Sequence, residues 1–128
     1  MAPTNIICSG ALFYATTTKR FLFLQRTDDK TKGLWGLCGG MAKYHESAFE
    51  GLKREIREEL DIEIEIKKKL GEENFRDNFV NVNLHYYICS HKSGKIDLKE
   101  HQESAWVTKE EFKFYEFAEG DKDIISLL

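Results

Sequence analysis

Between Ser47 and Leu60 the chain carries one strong amphipathic helix pattern, with strand patterns on both sides of it. Ser47 and Glu50 have the spacing of a capping box, in which each side chain satisfies a backbone N–H of the first turn. Phe49, Leu52, Ile56 and Leu60 recur at helical spacing and predict a core-facing stripe. A single stripe of this kind needs a sheet to cover it, and the flanking segments supply the strands. Asn5 to Tyr14 and Phe21 to Gln25 read as strands joined by a polar turn, and Asp28 to Gly33 as a polar loop. After the helix, Ile62, Ile64 and Ile66 alternate with charged residues. Val80 to Cys89 and Ala105 to Val107 are further strand candidates, with a turn at Gly94. Thr108 and Glu111 repeat the capping-box spacing, and Asp121 to Leu128 predicts a closing helix. The order predicts an α+β fold, a mixed sheet between helical layers.

Composition narrows the functional classes. The 128 residues suit one domain, 1–128, and with Pro3 the only proline there is no linker-like stretch. The net charge of −3 gives no basis for binding nucleic acid through bulk charge. No run is long and apolar enough to span a membrane. Ile6 to Ala15 is apolar enough for a leader segment, but no basic residue precedes it and its alternation fits a strand. Cys8, Cys38 and Cys89 form no C-x-x-C pair, which points to reduced thiols in a cytoplasmic protein. Cys38 has no basic partner in sequence and reads as a packing residue.

The polar side of the helix is the informative part. At 3.6 residues per turn, Glu55, Glu58 and Glu59 fall within one arc of about 100°. Glu55 and Glu59 are an i,i+4 like-charge pair, unfavourable by a few tenths of a kcal/mol, roughly. Of the three, only Glu58 has a basic i−4 partner, Arg54. Gly51 and Ala48 continue the same arc, so the face suits close approach by another group. Carboxylate oxygens at this density suit a hard divalent cation, Mg²⁺ or Mn²⁺. A solvated, Glu-rich helix face is the plain alternative.

The longer spacing separates these readings. Gly40 is followed by five residues and Glu46, then by seven residues and Arg54-Glu55-Ile56. One residue further come Glu58-Glu59, and one beyond those Asp61-Ile62. This pattern resembles the Nudix box at every fixed position except the last glycine, where Asp61 stands. Gly33 to Gly40 looks like the lead-in of that family, with Cys38 where Pro is usual. Lys99 to Trp106 looks like its downstream acidic loop. Lys43 stands where an acid is common, and Tyr44-His45 replaces the usual Pro-Gly.

The resemblance implies an α/β/α sandwich with a loop–helix–loop motif and hydrolysis of a pyrophosphate bond in a nucleotide-like small molecule. It implies that Glu55, Glu58 and Glu59 bind the metal, with the Gly39 carbonyl completing a site. Glu46 and Arg54 would tie the loop to the helix beside Gly40. Glu100 would be the general base or a further ligand, with Glu103 the alternative, and Glu58 is a third catalytic candidate. Arg26 would contact phosphate and Asp121 the base. Asp tolerates the left-handed region better than most residues, so Asp61 can serve the turn. His85, Trp35 and Phe79 read as structural more readily than as ligand-binding.

The expected substrate is a nucleoside triphosphate, cleaved as by MutT-type enzymes. The alternatives are a diphosphate-linked substrate (ADP-ribose, a dinucleoside polyphosphate or a capped RNA end) and a non-catalytic binding module.

Overall fold

The computed structural model describes residues 3–27, 32–76, 78–93 and 103–128. The polar loop at 28–31, Gly94 and the acidic loop through Glu100 lie outside the described residues. Among the described residues seven strands form one mixed sheet: β1 (Thr4–Ala15), β2 (Arg20–Gln25), β3 (Trp35–Gly36), β4 (Cys38–Met41), β5 (Glu63–Arg76), β6 (Val80–Ser93) and β7 (Ser104–Val107). Helix α1 (Ala48–Leu60) follows β4. A 3₁₀ helix (Lys109–Phe114) and helix α2 (Glu119–Ser126) close the chain.

The sheet is built around β1. Most of its length runs parallel to β6, from Thr4 opposite Val80 to Phe13 opposite Cys89. On its other side, Cys8 to Ala11 pair antiparallel with β4, and Phe13 to Ala15 with β2. β2 in turn pairs with β3 and β7, and β5 forms the far edge beside β6.

The strand alternation divides two cores between the two faces. Ala11, Phe13, Leu22, Leu24, Tyr87 and Cys89 pack with Leu52, Ile56 and Leu60 of α1. Leu12, Phe21, Phe23 and Tyr86 pack with Phe117, Ile124 and Ile125 near and on α2. Period-two side-chain placement therefore gives the α/β/α sandwich, one helix layer on each face.

The caps of α1 follow the sequence pattern. The Ser47 hydroxyl accepts from Glu50 N at 3.1 Å, while Ser47 N donates to Glu50 Oε1 at 3.1 Å. Asp61 ends the helix in the left-handed conformation, φ 56° and ψ 37°, its N–H donating to Arg57 O. The expected stripe needs one correction. Phe49 is 41% exposed, with Lys53 Nζ 4.6 Å from its ring centroid. Ala48 and Gly51 are buried instead, and a Cβ on Gly51 would come within 2.9 Å of Ala42. Small residues on this arc therefore seat the incoming β4–α1 loop, while Phe49 is rotated outward.

Other departures concern strands without clean alternation. β5 runs ten residues past Ile66, through Lys67-Lys68-Lys69, and includes register shifts at Ile66/Lys68 and Lys69/Gly71. β6 reaches Ser93, the Gly-rich stretch holds two short strands, and α2 begins at Glu119, two residues before the expected start.

The left-handed cap predicts that Asp61→Gly raises stability by up to about 1 kcal/mol, because glycine adopts this conformation without a Cβ penalty. Asp61→Val should lower it. Thermal midpoints of the two variants check this.

Candidate active site

The glycines of β4 fit sterically between β1 and α1, and the loop that follows is held to the helix by an ionic device. Gly39 sits so close to β1 that a Cβ would lie 1.9 Å from Ser9 O. At Gly40 a Cβ would lie 2.7 Å from the Glu55 carboxyl carbon, so the absence of a side chain there lets Glu55 lie against the loop. The ionic device is Arg54. Its Nε donates to both Glu46 oxygens, at 3.1 and 2.8 Å, and Nη2 donates to Met41 O at 3.1 Å. Glu46 Oε1 also accepts from Lys43 N at 2.8 Å. These bonds lower the Glu46 pKa to about 2, Arg54 acting first and the Lys43 N–H second. Beneath them Ser9, buried, donates from Oγ to Ala48 O at 2.9 Å and ties β1 to the helix start.

Arg54 does more than scaffold the loop. Its Nη1 donates to Glu55 Oε1 and to Glu58 Oε2, each at 3.0 Å. The expectation that only Glu58 of the three would meet a basic partner is therefore corrected. With Nε committed to Glu46, the planar fork turns Nη1 toward both neighbouring carboxylates. Glu59 accepts from Cys38 Sγ at 3.3 Å across the β4–α1 gap. Burial, then the Glu59 charge, raises the Cys38 thiol pKa well above its ordinary value, which makes it a poor nucleophile.

Two adjoining cavities lie beside this face. The larger, about 410 Å³, is lined by Gly39 and Gly40, Arg26, Met41, the Val82–Leu84 wall of β6, and Asp121. The smaller, about 230 Å³, is lined by Arg26, Leu37, Gly39, Gln25, Thr27 and Glu59. Arg26, Leu37 and Gly39 line both, so the two cavities meet along these residues, with Gly40 and Asp121 on the larger one and Glu59 on the smaller. Asp121, half-buried, accepts from Leu37 N at 3.3 Å. Burial raises its pKa, against the lowering effects of the Leu37 N–H and Arg26. The flat reading of Asp121 also holds in part, since it lies in the first turn of α2.

The remaining candidates separate cleanly. Glu103 is exposed just before β7; its carbonyl accepts from Gln25 N at 2.8 Å, and neither cavity includes it in its lining. Glu100 lies outside the described residues. Trp35 packs edge-on to Tyr115, 5.2 Å between centroids, within the second core, and Phe79 is 79% exposed. His85 is half-buried beside Glu72, with Nδ1 to Oε1 at 3.5 Å, as a structural reading expects. Sequence reasoning missed Ser9 and the Cys38–Glu59 contact; a serine or cysteine in a strand pattern carries no signal of a partner 39 or 21 residues away.

The donor chemistry fits a divalent cation. Three carboxylates project from adjacent turns of one helix, and Glu55 lies against Gly40. Among the described residues no three His, Cys, Asp or Glu side chains already converge as a closed metal cage. Their oxygens are turned toward Arg54 and Cys38. An open carboxylate face of this kind suits Mg²⁺, which keeps several of its waters.

Comparison with known proteins follows the same lines. The NUDIX domain family model matches residues 7–128. The CTP pyrophosphohydrolase of Escherichia coli (strain K12) is 32% identical over 89 residues, covering 70% of this chain and 66% of that relative. The solution structure of the E. coli ORF135 protein superposes with a TM-score of 0.81 at 25% identity, over 97% of this chain and 88% of the other. The crystal structure of a MutT protein from Methanosarcina mazei Go1 gives 0.79 at 27% identity, over 99% and 94%. Among the described residues no helix is long and apolar enough to cross a membrane.

The depressed Glu46 pKa fixes the sign of a pH effect. Its contribution to stability is present in full above the ordinary carboxylate range and is lost as pH falls toward about 2. The thermal midpoint of Glu46→Gln should thus lie below that of the wild type at pH 7, with the gap closing in acid. Paired melts from pH 7 to pH 2 measure it.

Proposed function

We propose that this chain, which belongs to the Nudix family, hydrolyses a nucleoside triphosphate to the monophosphate and pyrophosphate in a reaction that requires Mg²⁺ or Mn²⁺. The observation that carries the reading is the pair of adjoining cavities that share Arg26, Leu37 and Gly39. The pair has Arg26 and the β4 glycines beside the carboxylate face, and Asp121 with the Leu37 N–H in its larger member. A ligand filling it has anionic groups near Arg26 and the metal-binding face and a hydrogen-bonding ring near Asp121. The similarity to a CTP pyrophosphohydrolase supports the same class.

In this reading Glu55, Glu58 and Glu59 hold the metal, with the Gly39 carbonyl as a further donor. When bound, the ion supplies charge neutralisation at the pyrophosphate oxygens and lowers the pKa of coordinated water. The chain's own residues do the rest. Arg26, at the junction of both cavities, orients the phosphates by charge. Arg54 keeps Glu55 and Glu58 extended toward the loop. Water adds across one phosphoanhydride, forming one P–O bond and breaking another. Its proton passes to a carboxylate, for which Glu100 is the proposed acceptor, with Glu58 and the exposed Glu103 as alternatives. Asp121, ionised, accepts from an exocyclic amino group; protonated, it donates to a ring nitrogen. Cytosine offers both partners, and given the named relative it is the base to test first.

Glu59→Gln tests the metal assignment. At saturating Mg²⁺ it should lower turnover by at least about 100-fold, given that supporting partners of metal ligands alone are worth roughly 10–100-fold. Its thermal midpoint should stay level or rise slightly, since the like charge opposite Glu55 is removed. Unchanged turnover would mark Glu59 as a solvated surface residue.

Asp121→Ala tests the base assignment on a panel of triphosphates. Loss of one hydrogen-bond partner should cost the preferred base selectively, by about 1–3 kcal/mol in kcat/KM. An equal loss on every triphosphate would leave Asp121 with its helix-start role alone.

A further inference from the structure

Glu59 differs from its two neighbours in how the protein holds it. Glu55 and Glu58 share the Arg54 guanidinium, whereas Glu59 Oε2 takes the Cys38 thiol at 3.3 Å. Both ends of that contact sit on fixed scaffolds. Cys38, 2% exposed, opens β4 opposite Ala11 of β1, and the next residue, Gly39, is wedged against Ser9 O. Glu59 lies in the last turns of α1 between the buried Ile56 and Leu60. Gly39 and Glu59 line the same 230 Å³ cavity, so the thiol reaches the carboxylate from the buried side of the space it faces.

We propose that Cys38 is a positioning residue for metal binding: its S–H fixes Oε2 of Glu59 beside the cavity that Glu59 lines. This rests on the reading of Glu59 as a metal ligand. A thiol is a weak donor, so it orients the carboxylate without carrying the positive charge that Arg54 brings to Glu55 and Glu58. A carboxylate free to rotate loses side-chain entropy on binding a cation; one already held loses less.

The test is calorimetric titration of nucleotide-free protein with Mn²⁺, for the wild type and for Cys38→Ala, Cys38→Val, Cys38→Ser and Glu59→Gln. Cys38→Ala and Cys38→Val should each weaken Mn²⁺ binding by roughly three- to tenfold, the range of one lost hydrogen bond. Cys38→Ser, which keeps a donor, should stay within about twofold of wild type. Thermal melts identify any variant whose fold is lost, and if the serine does not fold in this apolar setting, Ala and Val against wild type decide the matter. Wild-type affinity in both Ala and Val, or a serine as weak as alanine, overturns the proposal. Glu59→Gln separates the premise from the inference. If it binds Mn²⁺ as wild type does, the metal-ligand reading falls; if it loses binding while Ala and Val do not, only the role of Cys38 falls.

Discussion

The Arg54 guanidinium is the contact on which the loop–helix–loop depends. It grips Glu46 with two bonds, takes the Met41 carbonyl with a third, and spends its remaining donor on Glu55 and Glu58. The loop between β4 and α1 buries little apolar surface; Tyr44 is exposed. Charge-assisted hydrogen bonds therefore do for this loop what burial does for the helix. Sheet pairing with Ser9 fixes Gly40, and Arg54 fixes the loop that follows and the Glu55 carboxylate that lies against Gly40.

The same contact explains how three close acids coexist on one helix. The guanidinium meets two of them and the Cys38 thiol the third, so mutual repulsion is offset without closing the face. Arg26 and Asp121 complete the surroundings from β2's end and α2. Parallel pairing of β1 with β6 brings Cys8 and Ser9 beside Leu84, and antiparallel pairing with β4 brings Gly39 and Gly40 to the same strand. One strand thus aligns the wall of the larger cavity with the glycines beside the carboxylate face of α1.

Much of this was legible in the sequence because its determinants are local. The capping box, the Asp61 turn and the apolar character of β1 and β2 each depend on neighbours a few residues apart, and the spacing from Gly40 through Glu59 lies within one continuous segment. What escaped depends on distant partners. β5 beyond Ile66 is an edge strand, exposed along much of its length, so Lys67 to Arg76 carry no apolar period. Phe49 fits the helical stripe by spacing, yet it lies in the first turn of α1 and is exposed, while Ala48 and Gly51 on the neighbouring arc are buried. The reach of Arg54 to Glu55 depends on which nitrogen Glu46 takes, and helical geometry alone does not dictate that. Glu100, in the segment that resembles the family's acidic loop, lies outside the described residues.

The central claim is that a divalent cation binds on the α1 face beside Gly39 and Gly40. Substoichiometric Mn²⁺ added to ¹⁵N-labelled protein tests it directly, read as paramagnetic broadening of backbone amides and reversed with EDTA. The account predicts that the amides of Gly39, Gly40 and Glu55 to Glu59 broaden first, while those of Lys109 to Phe114, in the other helical layer, stay sharp. Broadening centred elsewhere, such as on the Glu72–His85 surface or the start of α2, would contradict it, as would no site-selective broadening.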